Sequence, residues 1–325
     1  MAVGTNLFST YDIGSFGYGA GGSATAINHE DFIDVQVILG ATQTPAFSSF
    51  RKDRMRDVVQ SWSVDTLAAT STAGTQEGQT FSAEALVNAV RLMNVSQLFS
   101  KGVRVSDRER EINPAGGFRD ILDKEVMKAF KENARNTEAR IFATGAVGSA
   151  TGDEATTSGR MASLSGLGIR ASGASASGVF LNDIYRLSQD LFEQGIEPDS
   201  IWFAPAHKRD FFHAVTGSTT SVNVRNIAAI DNRFQANVEV MESPFGQLFA
   251  IITDRFIPTS NVSATTRAGY YIADRSLAAL PFLRPPQMKE MGKAGDYTDV
   301  LILHECSLRL DHPTGWGTVS GLTAA

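Results

Sequence analysis

Two short strings near the start of the chain have residue types and spacing found in cofactor-binding or catalytic sites. Residues 17–22 read GYGAGG and match the G-x-G-x-x-G string, which in a dinucleotide fold makes a tight turn against a pyrophosphate. No strand pattern precedes this string and no amphipathic helix pattern follows it, so we interpret it as part of a flexible arm. Ser49 and Lys52 have the S-x-x-K spacing of an acyl-transfer family, whose partner motifs are absent from the sequence.

The histidines and the single cysteine do not form a pattern suited to a metal or a nucleophile. His207 and His213 are six residues apart, roughly 120° apart around a helix. His304 and Cys306 share one face of a predicted strand, but they are only two ligands. We therefore predict core or half-buried histidines, a buried and inert Cys306 thiol, no metal, no cofactor and no enzymatic activity.

Residues 107–111 read DRERE, so that carboxylates alternate with arginines. Catalytic acid and base pairs need carboxyl groups in different environments, whereas this alternation is typical of surface ion pairs. We interpret the segment as a solvated stretch or as one that forms salt bridges between subunits.

Composition limits the class of protein further. The 325 residues carry a formal net charge of -6, which argues against a surface built to grip phosphates, because such binding needs a concentrated lysine and arginine stripe. A hydrophobic content of 42% without a long apolar run predicts a soluble globular protein and no membrane partner. The first residues have no signal-peptide pattern, so we expect the product to stay in the cytoplasm where it is made.

The patterns in the first half of the chain predict an extended arm, a two-stranded ribbon and a long helix. Residues 1–50 are glycine-rich with few charges and predict an extended arm. Residues 57–67 and 88–99 alternate as strands do, and the Thr-, Ser- and Gly-rich residues 68–83 between them predict the tip of a long two-stranded ribbon. An amphipathic helix is predicted over 118–144, ended by Gly145 and about 40 Å long.

The second half predicts a linker followed by a mixed unit. Residues 146–178 are small and polar apart from an apolar patch at 161–169. The periodicity then predicts helices over 181–193 and 205–215, with strands over 200–204, 238–241, 248–253, 269–273 and 297–310. In the first of these helices, Ile184, Leu187, Leu191 and Phe192 lie on one side and are expected to pack together. The order of the elements predicts an α+β protein.

The order of these parts, together with three segments, resembles a known family. The segments are the RMASLSGL string at 160–167, the helix–turn–strand–helix run from Leu181 to Phe212, and the stretch from Pro281 through the KAGD turn at 293–296 to the last strand. The chain resembles the major capsid proteins of tailed double-stranded DNA bacteriophages, which have the Hong Kong 97 type fold. From about residue 50 onward, each part has a counterpart in that family, and the string at 160–167 resembles its short apolar strand.

The resemblance implies a domain plan. It consists of an extended N-arm (1–50), an E-loop β-hairpin with its flanks (51–115), a P-domain spine helix and linker (116–178), an A-domain (179–280) and P-domain return strands (281–325). The implied function is structural: the protein self-assembles as hexamers and pentamers into an icosahedral shell that encloses the phage DNA. The expected location is the virion, after assembly in the host cytoplasm.

The implied partners are other copies of the chain, scaffolding and portal proteins, decoration proteins as further candidates, and packaged DNA that is contacted non-specifically. The arm and the ribbon have open edges that invite such contacts. The chain starts directly with the arm, so we expect a separate scaffolding protein or none. The residues expected to contact other subunits are Thr70, Gly74, Gln76, Glu77, Phe81, Arg51, Arg54, Arg108 and Arg110.

Three alternatives remain at this point. An encapsulin-like bacterial nanocompartment protein would have the same fold and enclose a cargo enzyme instead of a genome. A phage tail tube protein would be richer in strands and would lack the long helix. An enzyme of an unrecognised class would need a cleft with perturbed acids or bases, which the sequence does not indicate.

Overall fold

The structure is a computed structural model that describes residues 42–67, 70, 72, 74, 76–78, 80, 89–111, 120–143, 161–167, 169–173, 181–217, 239–258, 269–293 and 295–320. The string at 17–22 and Phe81 lie outside these residues. Of the predicted arm, residues 42–50 are described.

The described elements follow the order expected from the sequence. The α-helices are α1 Pro45–Ser49, α2 Asp107–Glu111, α3 Ile121–Ile141, α4 Leu181–Glu193 and α5 Pro205–Gly217. The strands are β1 Arg51–Arg54, β2 Val59–Val64, β3 Val90–Val95, β4 Gln97–Ser106, β5 Arg170–Gly173, β6 Ser200–Phe203, β7 Val240–Glu242, β8 Leu248–Thr253, β9 Gly269–Ala273, β10 Ala278–Glu290, β11 Tyr297–Cys306, β12 Arg309–Leu310 and β13 Trp316–Ser320.

The first sheet has the order β1-β10-β11-β4, and β12 pairs with the start of β10. β1 runs parallel to β10, whereas β10, β11 and β4 are mutually antiparallel. Helix α3 lies on this sheet, where Ala129 packs with Val300 and Ile302 of β11. At 21 residues α3 is roughly 31 Å long, and it packs along the first sheet.

The sequence prediction for α3 is confirmed over residues 121–141. The helix starts there because the Asp120 side chain accepts a hydrogen bond from the Leu122 amide, which satisfies one of the free amides of the first turn. The chain leaves the helix at Phe142, which is fully buried. The predicted terminal Gly145 lies outside the described residues.

The second sheet has the order β5-β13-β9-β6-β8-β7 and carries α4 on one face. The helix packs Ile184, Leu187 and Leu191 against buried residues of the central strands. The last strand, β13, belongs to this sheet, where it runs parallel to β5 and antiparallel to β9. The end of the chain therefore returns to the second sheet after β10, β11 and β12 have completed the first.

One continuous hydrophobic core joins the two sheets. At its centre Trp202 of β6 and Trp316 of β13 both contact Phe50, which follows α1. Phe142, at the end of α3, contacts Trp202 and Tyr271 in the same cluster. Each buried aromatic side chain removes roughly 150–250 Å² from water. Burial of several of them together fixes α1, the long helix and both sheets relative to one another.

Strands β2 and β3 form a separate antiparallel hairpin, with Val59 opposite Val95 and Val64 opposite Val90. This confirms a ribbon between the two predicted strands. The predicted run over 88–99, however, is not one strand: β3 ends at Val95, and β4 begins at Gln97 in the first sheet. The physical reason is a buried polar anchor at Asn94 and Ser96, described below.

Three further predictions need correction. The strand predicted over 297–310 is divided into β11 and β12. The division lies at Ser307, which follows β11 and whose amide donates to the Pro281 carbonyl. The string at 160–167 contains a 3-10 helix, Leu164–Leu167, where a short strand was implied. The predicted linker contains β5, which is held by pairing with the distant β13.

The longest strand, β10, was not predicted from the sequence. Pro281, Pro285 and Pro286 lie within it, and proline normally marks the end of a strand because it cannot donate to the ladder. Pairing of β10 with β11 shifts register between Phe282 and Arg284 and again between Arg284 and Gln287. The second irregularity spans Pro285 and Pro286, which accommodates residues without an amide hydrogen.

Candidate subunit-contact surfaces

The hairpin of β2 and β3 is fixed at its base by the buried side chain of Asn94. Its Nδ2 donates to the Leu308 carbonyl at 2.6 Å, and its Oδ1 accepts from the Ala162 amide at 2.8 Å. Asn94 is 4% exposed, so these bonds form away from water and hold β3 against two distant parts of the chain.

A second anchor lies two residues further along. Ser96 Oγ donates to Glu305 Oε1 at 2.5 Å, and the Ser96 amide donates to the Val58 carbonyl at 2.8 Å. Arg284 Nε donates to Glu305 Oε2 at 2.7 Å, which neutralises the buried carboxylate. Ser96 is therefore the junction where the chain leaves the hairpin and enters the first sheet.

Sequence reasoning did not identify this anchor. In the alternating run, Asn94 and Ser96 share a strand face with Val90 and Leu92. On that face, two neighbouring polar residues interrupt a series of apolar ones. That interruption was the available signal, since polar residues on a core-facing strand need buried partners. The partners come from residues more than 60 positions away and could not be read from the local pattern.

Beyond its base the hairpin presents apolar side chains to the surface. Val90 is 61% exposed and Met93 is 56% exposed, and Val58, at the start of the hairpin, is 49% exposed. Trp62 and Leu92 face each other across the strands and are half-buried. A two-stranded hairpin is marginal on its own, so an exposed apolar hairpin is expected to pack against another surface.

The residues predicted for the ribbon tip lie at the surface where they are described. Thr70, Gly74, Gln76 and Glu77 are all exposed. A turn follows at Gly78, whose φ of +82° favours glycine over other residues. Contact of these four residues and of Phe81 with another subunit stays a prediction.

Arg51 already has partners within the chain. Its guanidinium contacts Asp311 at 2.9 Å and Asp53 at 3.3 Å, and Arg309 binds the same two carboxylates at 2.6 Å from Asp53 and 2.8 Å from Asp311. This four-residue network links β1 to the end of β12. Arg54 lies in the same strand and is exposed, and an inter-subunit role for either arginine stays a prediction.

The DRERE segment forms α2 and has ion pairs within the subunit. Arg110 contacts Asp120, the residue that caps α3, at 2.9 Å, and Lys293 contacts Asp107 at 2.6 Å. The hydrogen bond from Lys293, supported by one from Thr298, holds the pKa of Asp107 below its usual range. These pairs place α2 between α3 and β11, whereas Arg108 is exposed and available to a neighbour.

An aromatic pair at the edge of the second sheet was not predicted. Phe192, at the end of α4, stacks on Phe245 of the β7–β8 turn with ring centroids 5.2 Å apart. Phe192 is 45% exposed, so its predicted place on the packed side of the helix is wrong. Val240 and Leu248 are also exposed in β7 and β8, and we call these four exposed apolar residues together the β7-edge patch (Phe192, Val240, Phe245 and Leu248).

Two of the described histidines and the cysteine belong to the core, and His312 is half-buried. His207 and His304 are 0% and 2% exposed, as predicted. Burial lowers the pKa of His304 to about 4, and its Nε2 lies 2.8 Å from Thr137 Oγ1. Burial raises the pKa of the Cys306 thiol to about 12, which confirms a buried and inert thiol.

Within the described ranges, no group of three or more His, Cys, Asp or Glu side chains is arranged to hold a metal ion. Ser49 ends α1, and the Lys52 amine donates to the Phe47 carbonyl. In the same part of the chain, no helix combines the length and the hydrophobicity needed to cross a lipid bilayer.

The chain is similar to known major capsid proteins of phages. A family model described as SU10 major capsid protein matches residues 18–323. The major capsid protein of Escherichia phage Phieco32 is 24% identical over 339 residues, covering 89% of this chain and 93% of that protein.

Two solved structures share the fold at low identity. One is the capsid asymmetric unit of cyanophage A-1(L), with a TM-score of 0.72 at 10% identity over 92% of this chain and 98% of that chain. The other is the holo-SrpI encapsulin complex from Synechococcus elongatus PCC 7942, with a TM-score of 0.57 at 9% identity over 90% of this chain and 92% of that chain.

Proposed function

Because the chain belongs to the SU10 major capsid protein family, we propose that hexamers and pentamers of it form an icosahedral shell around a phage double-stranded DNA genome. The protein is a structural major capsid protein of the virion. Its fold is the α+β Hong Kong 97 type that the sequence predicted.

The observation that carries the proposal is the exposed hairpin of β2 and β3. It is anchored rigidly at Asn94 and Ser96, yet its outer part exposes Val90 and Met93. An apolar ribbon on a rigid base can bury its side chains on a neighbouring copy without disturbing its own subunit. We therefore assign the hairpin and residues 68–83 to contacts between subunits.

The β7-edge patch supports a second contact. Among the described residues, strand β7 is at the edge of its sheet and is only three residues long, and the apolar residues around it are exposed. In a closed ring each subunit needs contact surfaces on two different sides. We assign the hairpin to one of these surfaces and the β7-edge patch to another.

The shell requires partners in addition to further copies of the chain. We propose scaffolding and portal proteins, decoration proteins as further candidates, and packaged DNA that is contacted without sequence preference, with assembly in the host cytoplasm. The net charge of -6 argues against tight binding of DNA, because acidic side chains repel phosphates and do not hold them in fixed positions. Residues Thr70, Gly74, Gln76, Glu77, Phe81, Arg54 and Arg108 are proposed contact residues.

An encapsulin-like compartment is the second candidate, favoured by the likeness to the SrpI complex. That likeness concerns the fold, whereas the family model and the curated relative both describe phage capsid proteins. Particles recovered from a phage lysate distinguish the two: a capsid protects DNA from nuclease, whereas a nanocompartment contains a protein cargo.

Electron microscopy of the purified, concentrated full-length protein tests shell formation. We expect uniform closed particles, or five- and six-membered rings, alone or after a scaffolding protein is added. A compact monomer that persists at high concentration with the scaffolding protein present would contradict the proposal.

A further inference from the structure

Glu138 of α3 binds the start of α1 through two hydrogen bonds. The Ala46 amide donates to Glu138 Oε1 and the Phe47 amide donates to Oε2, each at 2.6 Å. Glu138 and Ala46 are both 0% exposed. A helix start leaves free amides that need acceptors, and here a carboxyl group 91 residues away supplies them. Glu138 thereby fixes the described end of the arm onto the long helix.

A second carboxyl group faces Glu138 in the same buried site. Asp254, which follows β8, is 1% exposed and is in side-chain contact with Glu138. Its Oδ1 accepts from the Phe256 amide at 2.8 Å, whereas its Oδ2 is buried and has no hydrogen-bond donor among the described residues. Two ionised carboxylates in contact repel each other, so this geometry requires one proton between them.

The other ionisable groups near the site do not replace that proton. The Lys52 amine donates to the Phe47 carbonyl and lies 4.3 Å from the centre of the Phe47 ring, and burial lowers the pKa of Lys52 to about 8. The Arg135 guanidinium lies 5.9 Å from the centre of the Phe256 ring. His304 and Cys306, on the neighbouring β11, stay neutral near pH 7, so both carboxyl groups lack an ion-pair partner in the described part of the chain.

We propose that a proton shared by Glu138 and Asp254 locks α1 onto α3, and that loss of this proton releases α1. The lock joins three parts of one subunit, namely α1, the long helix and the turn after β8. It does not depend on shell formation and can be tested on unassembled subunits.

The sign and the range of the effect follow from the environment of the pair. Burial, followed by the contact with Asp254, raises the pKa of Glu138 to about 8, and burial also raises the pKa of Asp254. Between about pH 4.5 and about pH 8 the folded chain holds a proton that the unfolded chain has lost, so the stability contributed by this site falls as pH rises from about 4.5 to about 8. The lock is closed at neutral pH and opens under mildly alkaline conditions.

Amide hydrogen exchange of a peptide covering residues 42–50 tests the lock in the full-length protein. After correction for intrinsic exchange, we expect protection in the wild type to fall at least about tenfold between about pH 6.5 and about pH 9.5. Asp254→Asn retains the shape, removes the second charge and donates an amide hydrogen towards Glu138. Protection in this variant should fall less across the same range, because only the burial of Glu138 then raises its pKa.

Glu132→Gln, on the same helix, is the matched control. Glu132 pairs with Lys101 at 2.7 Å and is remote from α1, so this variant should show the wild-type transition. Constant protection in the wild type, or the same fall in Asp254→Asn, would overturn the proposal. If Asp254→Asn does not fold, Lys52→Arg decides: its guanidinium stays charged across this range, so the transition should persist in it, and its loss would overturn the proposal.

Discussion

Ser96 Oγ donates a 2.5 Å hydrogen bond to Glu305 Oε1, and this contact marks the point where the hairpin ends and the first sheet begins. Without it, β3 and β4 could continue as one strand, as their alternating sequence suggests. The bond joins a residue between two strands to the middle of the subunit, 209 positions away. The direction in which the hairpin leaves the body is therefore set by this buried polar junction together with the Asn94 anchor.

Ser96→Ala is expected to destabilise the subunit and loosen the hairpin. The variant removes a buried donor to a charged group, which costs about 1–3 kcal/mol of unfolding free energy. Urea unfolding of unassembled subunits measures this cost, and limited proteolysis within residues 59–95 reports the looser hairpin.

Ser63→Ala is the control for that change, since Ser63 lies on the exposed side of the same hairpin. It should alter the unfolding free energy by less than about 0.5 kcal/mol. Equal effects of the two variants would show that the Ser96 junction has no special role.

Deletion of residues 70–80 is expected to abolish shell formation and leave a folded subunit. The described residues of this segment are exposed and carry none of the core, so their loss should not expose apolar surface. Circular dichroism and urea unfolding check the fold, and electron microscopy counts the particles. Wild-type shell yield after the deletion would refute a role of the ribbon tip in assembly.

Phe192→Lys is expected to reduce shell yield much more than it reduces subunit stability. Phe192 is 45% exposed, so the variant mainly loses its stacking on Phe245, worth about 1 kcal/mol. A buried lysine at a contact between subunits would cost several times more. Particle yield and urea unfolding, measured on the same preparation, separate the two effects.

Asn182→Lys, at the exposed start of the same helix, adds the same charge away from the β7-edge patch and should assemble normally. If Phe192→Lys forms shells as efficiently as this control, the patch is not a contact surface.

His304 makes the subunit less stable in acid. Its folded pKa of about 4 lies below the value of about 6.5 in an unfolded chain, so the unfolded chain binds more protons between these values. The unfolding free energy should therefore fall as pH drops from about 6.5 to about 4, by roughly 3 kcal/mol in total.

His304→Gln isolates this effect, because Glu138 shifts stability in the opposite sense over part of the same range. Urea unfolding of both proteins at about pH 7 and about pH 4.5 should show a smaller loss in the variant. An equal loss in both proteins would mean that other groups cause the acid sensitivity.

The elements with strong local patterns could be predicted from the sequence. Helix α4 and strands β8 and β9 begin and end at the predicted residues, and α3 lies within its predicted range. In each case the periodicity of apolar side chains matches the period of the element, so the local sequence is sufficient to predict the element. The order of these elements was also sufficient to indicate the capsid family.

Elements that depend on distant partners could not be predicted in the same way. The prolines of β10 argued against a strand, and only pairing with β1 and β11 makes it one. Strand β5 looked like a linker because its partner, β13, lies at the other end of the chain.

The sequence by itself determined the type and order of the parts of this protein, because helix and strand periods are local properties of the chain. The tertiary structure alone decided how those parts are joined and which residues stay exposed. Ser96 meets Glu305, Glu138 meets both Ala46 and Asp254, and Phe192 stays at the surface. These outcomes depend on burial and hydrogen bonding between residues far apart in the chain, and no local pattern encodes such distances.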